Sequence, residues 1–142
     1  MGRGPPPLIT LDTSGVLALG DRGEPAHGAA VAALGADRGP YVVPAGIVAE
    51  AAFMLEHRLG ADALDAFLRD LETGALLLDC GEGDLGRIRA LVRHYADLPL
   101  GFADSAVVAC AERRGGRVLT LDRRHFDVVA REVRLTPVPD YP

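Results

Sequence analysis

Four acidic residues of this 142-residue chain stand where predicted strands end or predicted helices begin: Asp12, Glu50, Asp104 and Asp122. Asp12 and Asp122 each follow a short apolar run, at residues 8–11 and 117–121. Asp104 falls in the first turn of a predicted helix, where the helix dipole favours a negative charge. Strand ends and helix starts meet at one edge of a parallel sheet, and ligands bind outside the carboxyl ends of its strands. These carboxylates are therefore candidates to share a site, which Glu50 can reach from its own helix.

Several carboxylates in one cleft repel each other unless a cation lies between them. Two unit charges about 4 Å apart repel by roughly 4 kcal/mol at an effective dielectric constant of about 20. All-oxygen ligands favour Mg²⁺ or Mn²⁺ over zinc. The chemistry that follows is hydrolysis of a phosphodiester by a metal-activated water. Asp12, Asp104 and Asp122 are predicted to bind the metal. Glu50 is predicted to bind it directly or through water, and to orient the attacking water.

Each of these residues also has a simpler interpretation. A single aspartate after a strand is more often a cap or loop residue, and a single glutamate in a helix is more often solvated. The combination at matching ends of elements favours a site. The histidines fall on different elements without ligand spacing and are interpreted as surface or packing residues: His27, His57, His94 and His125. The remaining aspartates singled out are interpreted as caps or solvated faces: Asp21, Asp37, Asp62, Asp65, Asp70, Asp79 and Asp84.

Strands and helices alternate along the chain, which predicts an α/β fold with a mainly parallel central sheet flanked by helices. Strands are predicted at residues 8–11, 40–44, 75–79 and 117–121, with a possible edge strand at 133–138. Helices are predicted at residues 15–19, 26–34, 45–59, 63–71 and 85–95. A further helix follows Gly101 and Phe102 and stops near residues 113–116. Thr13 and Ser14 are good candidates to cap the first helix.

The composition fits one globular domain, at 49% hydrophobic and 25% charged residues. Residues 1–7 are expected to form a disordered leader and residues 8–142 the domain. The absence of an apolar signal region or a bilayer-length apolar run predicts a cytoplasmic protein. Cys80 and Cys110 are too few for a disulfide framework and are expected to be small buried hydrophobes. The net charge of −5 argues against a pure nucleic-acid-binding module, but not against an enzyme whose acidic groups hold metal ions.

Four blocks of the sequence resemble those of a PIN domain. In chain order they read LDTSGVLAL (residues 11–19), PAGIVAEAAFML (44–55), LPLGFADSAVVACAE (98–112) and LTLDRRHF (119–126). Any one block is weak evidence, but all four occur in order and at a PIN-like length. Within this family the resemblance is closest to VapC-type toxins of bacterial toxin–antitoxin pairs, and it extends over residues 8–137.

The resemblance implies an Mg²⁺- or Mn²⁺-dependent endoribonuclease that leaves a 5′-phosphate. Its three central acidic positions match Asp12, Glu50 and Asp104, and its frequently present fourth matches Asp122. Either Thr13 or Ser14 matches the small hydroxyl residue that holds the first carboxylate or a water. Ser105 could act similarly, although it fits a plain helix-start residue equally well.

The resemblance also implies partners. Such proteins usually form homodimers and are held inactive by a VapB-type antitoxin whose C-terminal segment lies in a groove near the site. The helices at residues 45–59 and 63–71 could supply an apolar channel, although their apolar faces could equally be core. The RNA substrate needs cations, and the candidates are Arg22, Arg113, Arg114, Arg123, Arg124 and His125. Arg123 and Arg124 follow Asp122 directly and are predicted to bind RNA, whereas a solvated face suits Arg113 and Arg114 better.

Three other functions fit the sequence less well. A phosphatase with an aspartyl nucleophile usually needs a second Asp two residues after the first, where this chain has Ser14. A non-catalytic PIN-like binding module would be expected to lack a carboxylate, and none of the four is missing. Dinucleotide binding is excluded because no G-x-G-x-x-G motif follows a strand.

Overall fold

The computed structural model describes residues 7–35 and 39–139. Within these ranges five parallel strands form a sheet in the order β3-β2-β1-β4-β5. The strands are β1 (Ile9–Leu11), β2 (Tyr41–Pro44), β3 (Leu76–Asp79), β4 (Arg117–Leu119) and β5 (Thr136–Val138). The predicted α/β fold with a parallel sheet is confirmed, and the possible last strand is present at the sheet edge.

Helices connect the strands. They are α1 (Thr13–Gly20), α2 (His27–Gly35), α3 (Val48–Leu59), α4 (Ala61–Thr73), α5 (Leu85–His94), α6 (Gly101–Arg114) and α7 (Arg123–Ala130), with short 3-10 turns at Ala45–Ile47 and Glu82–Asp84. Gly60, with φ of +91°, separates α3 from α4 as expected, because a left-handed backbone favours glycine. Most predicted bounds lie within two residues of the observed ones.

Strand β1 is mostly apolar because it lies at the centre of the sheet. In β1, Thr10 lies between Val42 and Val118 on the neighbouring strands. Ile9 and Leu11 are fully buried, as expected for a parallel strand covered on both faces. Helix α6 is buried along a continuous run from Ser105 to Ala111. Small residues in this run allow the helix to pack closely between its neighbours.

Three expectations about this scaffold are wrong. Strand β4 ends at Leu119 instead of residue 121, so Asp122 is not at the strand end but at the N-cap of α7. Helix α7 itself was not predicted, because only Phe126 and Val129 of its eight residues are buried and its pattern is mostly polar. Cys80 is exposed, whereas Cys110 is buried as expected.

Two predictions concern the ends of the chain. The disordered leader was assigned to residues 1–7, of which residues 1–6 lie outside the described ranges, as do residues 140–142 of the assigned domain. In the part of the chain that is described, no helix is long and apolar enough to cross a membrane.

Candidate metal centre

Asp12 joins strand β1 to helix α1. Its side chain, not that of Thr13 or Ser14 as predicted, caps α1, since its Oδ1 accepts a hydrogen bond of 2.7 Å from the Gly15 amide. A side chain at Gly15 would collide with the Leu119 carbonyl oxygen, so glycine lets α1 approach β4 closely. Asp12 is therefore held at the junction of the two central strands and is only 4% exposed.

Two hydroxyl groups connect Asp12 to the turn after β4. Ser14 Oγ donates to Asp12 Oδ1 at 2.7 Å and accepts from the Leu121 amide at 2.8 Å. Thr120 Oγ1 donates to Asp12 Oδ2 at 2.5 Å and accepts from the Asp122 amide at 2.9 Å. Both carboxylate oxygens are thus fixed, and the backbone leading to Asp122 is fixed with them.

The three predicted hydroxyl residues differ in their contacts. Ser14 contacts the first carboxylate in the manner that the sequence predicted. The hydroxyl oxygens of Thr13 and Ser105 are buried without a hydrogen-bond partner among the described residues. Thr120 makes the second contact with Asp12, and no local pattern around it predicted this role.

The pKa of Asp12 is raised to about 6. Burial is the largest cause, and the hydrogen bonds from Thr120, Ser14 and the Gly15 amide only partly oppose it. The charge of Asp104 raises the pKa further. A cation in the cleft would favour the ionised form of this carboxyl.

Asp104 and Asp122 both approach the same nitrogen of a histidine ring. His125 Nδ1 is 3.3 Å from Asp104 Oδ2 and 3.6 Å from Asp122 Oδ2. The pKa of Asp104 is raised, mainly by burial and also by the charges of Asp122 and Glu50, while its hydrogen bond with His125 acts in the opposite direction. The interpretation of His125 as a surface or packing residue is therefore wrong, and the three-residue spacing from Asp122 was a usable signal.

All four predicted carboxylates line one cleft of about 270 Å³. Glu50 lies in the first turn of α3 and is exposed at this cleft. Asp12 reaches it from the end of β1, Asp122 from the N-cap of α7, and Asp104 from the first turn of α6. The structure thus brings together the acidic residues that the sequence selected.

Helix α3 adds a cation to the same cleft. Glu50, Met54 and Arg58 recur at a spacing of four residues on one helix face, and all three line the cleft. Arg58 is exposed and lies in the last turn of α3. It was not among the predicted RNA-contacting residues, although its spacing from Glu50 could have identified it.

The predicted RNA-binding arginines have different surroundings. Arg123 donates from Nε to Asp127 Oδ1 at 3.0 Å and from Nη1 to the Pro139 carbonyl at 2.6 Å. Its guanidinium is thus engaged with α7 and the end of β5. Arg124 and Arg22 are exposed.

Arg113 and Arg114 do not form the solvated face that was expected. Arg113 contacts Asp84 Oδ1 at 2.7 Å and Asp79 Oδ1 at 2.8 Å, and Arg114 contacts Asp79 Oδ2 at 2.8 Å. Asp79 and Asp84 are not solvated, because both are buried. Asp84 stands at the N-cap position of α5, but its side chain pairs with Arg113 and makes no capping hydrogen bond. Burial alone would raise the pKa of Asp79, but hydrogen bonds and charges of the two arginines hold it at about 2.

The donor set of the cleft fits a divalent cation. Asp104, Asp122 and His125 offer ligand atoms within 4.8 Å of one another. Asp12 and Glu50 supply further carboxylate oxygens to the same cleft. Carboxylate oxygens are the ligands that Mg²⁺ and Mn²⁺ favour in proteins.

Comparisons with known proteins agree with this architecture. The model of the PIN domain family matches residues 9–132. Ribonuclease VapC26 from Mycobacterium tuberculosis (strain ATCC 25618 / H37Rv) is 39% identical over 123 residues, which cover 85% of this chain and 91% of that protein.

A solved structure has the same fold. The crystal structure of Mycobacterium tuberculosis VapC20, described as a sarcin-ricin loop cleaving toxin, matches with a TM-score of 0.74 at 19% identity, covering 84% of this chain and 94% of that one. At this identity the likeness speaks for the fold alone. The family model covers most of the chain, and the VapC26 relative is similar over nearly its whole length, so the chain belongs to the PIN domain family.

Proposed function

We propose that this chain is a metal-dependent endoribonuclease and the toxin of a VapBC-type toxin–antitoxin pair. The observation that carries the proposal is the convergence of four carboxylates on one cleft of a PIN domain. The 39% identity to a protein named Ribonuclease VapC26 supports RNA as the substrate. The sarcin-ricin loop cleaving toxin with the same fold is consistent with this function.

The carboxylates have different proposed roles. Asp104 and Asp122 bind a divalent cation, Mg²⁺ or Mn²⁺, and Asp12 adds a rigid ligand because both of its oxygens are fixed by hydrogen bonds. Glu50 is exposed and suits a second role, that of orienting the attacking water. When bound, the cation would activate water and neutralise charge on the scissile phosphate. The resemblance to the PIN family implies that the 3′-oxygen is the leaving group, so that the product carries a 5′-phosphate.

Arg58 and Arg124 are the proposed contacts to RNA phosphates. Arg58 lines the acidic cleft, so it can place a phosphate oxygen beside the carboxylates and their cation. Arg124 is exposed and lies two residues after Asp122. Arg123 was predicted for this role, but its contacts with Asp127 and Pro139 favour a structural one.

An apolar cavity fits the proposed antitoxin. It has a volume of about 180 Å³ and lies among helices α1, α3 and α4, where its lining includes Val16, Leu55 and Phe67. Of these helices, α3 and α4 are the two that the sequence selected for an apolar channel. A VapB-type C-terminal segment could place apolar side chains here and block the neighbouring cleft, and a homodimer is the expected assembly.

RNA cleavage by purified, antitoxin-free protein tests the proposal. End-labelled cellular RNA is incubated with Mg²⁺, Mn²⁺ or EDTA, using the wild type, Asp104→Asn and the control Asp65→Asn. Asp65 is an exposed aspartate of α4, paired with Arg69 at 2.6 Å, so its substitution changes charge equally but away from the cleft. We expect metal-dependent cleavage by the wild type and the control, and a loss of at least about 100-fold in Asp104→Asn.

Other outcomes contradict the proposal in distinct ways. Cleavage that persists in Asp104→Asn would mean a contaminant or a wrongly assigned site. Folded protein that neither cleaves any RNA nor binds Mn²⁺ would favour the non-catalytic binding module.

A further inference from the structure

The nitrogen of His125 lies among the carboxylate oxygens of the cleft. Its Nδ1 is 3.3 Å from Asp104 Oδ2 and 3.6 Å from Asp122 Oδ2. The three ligand atoms lie within 4.8 Å of one another. The imidazole therefore stands beside both carboxylates that the proposed function assigns to the cation.

These separations suit three ligands of a single ion. Ligand atoms about 2.1 Å from a metal are roughly 3 Å apart at a right angle and about 3.4 Å apart at a tetrahedral angle. The two distances from Nδ1 are close to these values, so the imidazole and each carboxylate stand at the separation expected for ligands of one ion.

The scaffold holds the ring in place. His125 lies on the first turn of α7, three residues after Asp122, so both residues face the same side of the helix. The adjacent Phe126 and Val129 are fully buried and fix α7 against the core. The His125 side chain is only 16% exposed. Ligands on a packed helix are positioned more precisely than ligands on a loop.

A nitrogen ligand changes which metal the site prefers. Mg²⁺ is a hard ion that favours oxygen and retains its water, whereas Mn²⁺ and the later divalent metals bind imidazole more readily. We infer that His125 is a nitrogen ligand beside Asp104 and Asp122, and that it makes the centre selective for Mn²⁺ over Mg²⁺. This inference rests on the cation site of the proposed function and adds a ligand and a metal preference to it.

Electron paramagnetic resonance of bound Mn²⁺ provides the test. Mn²⁺ is added to the metal-free wild type, to His125→Gln and to the control His57→Gln. The concentration of free Mn²⁺ is determined from the intensity of its resonance signal. Mg²⁺ affinity is obtained by competition. His57 is exposed on α3 and stacks on Phe53, so its loss leaves the cleft intact. Pulsed measurement of the hyperfine coupling then reports whether nitrogen is bound to the metal.

We expect nitrogen coupling in the wild type and in His57→Gln, and none in His125→Gln. The variant should bind Mn²⁺ at least about tenfold more weakly, while Mg²⁺ affinity changes much less. A wild type with histidine labelled by ¹⁵N should show the corresponding change in coupling, which tests the ligand without any substitution. Absence of nitrogen coupling, or equal losses for both metals, would overturn the inference and leave His125 as a hydrogen-bonding residue.

The outcomes for the two proposals are separable. Metal-dependent RNA cleavage without nitrogen coupling would contradict the ligand and leave the ribonuclease intact. Nitrogen coupling without cleavage of any RNA would support the ligand and contradict the ribonuclease.

Discussion

Two buried aspartates occupy equivalent places in the sheet but have opposite electrostatics. Asp12 directly follows β1 and Asp79 is the last residue of β3, and they are 4% and 7% exposed. The pKa of Asp12 is raised to about 6, whereas that of Asp79 is lowered to about 2. Position on the sheet therefore does not determine what a buried carboxylate does.

The partners of the two carboxylates explain the difference. Asp79 accepts hydrogen bonds from Arg113 and Arg114, whose positive charges more than offset its burial. Asp12 has only neutral donors, two hydroxyls and one amide, and it faces the negative charge of Asp104. A buried carboxylate whose protein contacts include no cation favours a cation from solution, so we interpret Asp12 as functional and Asp79 as structural.

The largest expected effect is the loss of activity in Asp12→Asn. Cleavage should fall at least about 100-fold, because a proposed metal ligand is lost. The free energy of unfolding in EDTA at pH 7 should not fall, and could rise by up to about 3 kcal/mol, since the neutral amide avoids the burial of a charge. RNA cleavage and urea unfolding measure the two effects. A strongly destabilised variant would contradict the contrast with Asp79.

Arg113→Met should have effects opposite to those of Asp12→Asn, lowering the stability of the fold but not the cleavage activity. Removing this arginine leaves Asp79 and Asp84 buried with less positive charge, so we expect a loss of about 3 kcal/mol in the free energy of unfolding. Cleavage per folded molecule should be retained. Arg69→Met is the matched control, since its pair with Asp65 is exposed and should contribute less than about 1 kcal/mol. Equal effects of the two substitutions would show that the buried pairs do not stabilise the fold.

The two carboxyls should also act in separate pH windows. For Asp12 the folded pKa lies above the unfolded value, so its contribution to stability is present below about pH 4 and is lost as the pH rises to about 6. For Asp79 the folded pKa is depressed, so its contribution is present above about pH 4 and is lost as the pH falls to about 2. Each window should span about 2–3 kcal/mol.

Urea unfolding of metal-free protein measures this profile. Stability should increase from pH 7 to about pH 4 and then decrease at lower pH. In Asp12→Asn the increase should be smaller. If stability increases by the same amount in this variant, the increase belongs to another group, such as Asp104, whose pKa is also raised.

The smallest expected effect concerns Thr120, one of the two hydroxyl residues that donate a hydrogen bond to Asp12. Thr120→Val preserves the side-chain shape but removes the hydrogen bond to Asp12 Oδ2, which should further raise the pKa of Asp12 and cost about 1 kcal/mol of stability at pH 7. NMR titration and urea unfolding measure these changes. The stability loss should be smaller in an Asp12→Asn background, and an equal loss there would show that the contact with the carboxylate is not its cause.

The sequence was sufficient for the sheet and for the acidic residues of the cleft. Strand ends and helix starts are local signals, so Asp12, Asp104 and Asp122 could be selected from their neighbours along the chain. The same local signal occurs at Asp79, and its partner Arg113 lies 34 residues away. Only the packing of α6 against the end of β3 distinguishes a paired carboxylate from one that is open to a cation.

Other parts of the site depended on contacts that sequence patterns do not contain. Thr120 reaches Asp12 across 108 residues. His125 and Arg58 are the exceptions, since the spacing of His125 from Asp122 and that of Arg58 from Glu50 were visible in the sequence and were not used.

The pairing of the first strand with β4 has a consequence for protein synthesis. Thr120, Asp122 and His125 are added to the chain more than 100 residues after Asp12. A nascent chain that lacks them has neither the donor that fixes Asp12 Oδ2 nor the carboxylate and imidazole that complete the cleft. The ribosome would therefore have translated the whole stretch from Asp12 to His125 before an active nuclease could fold beside it.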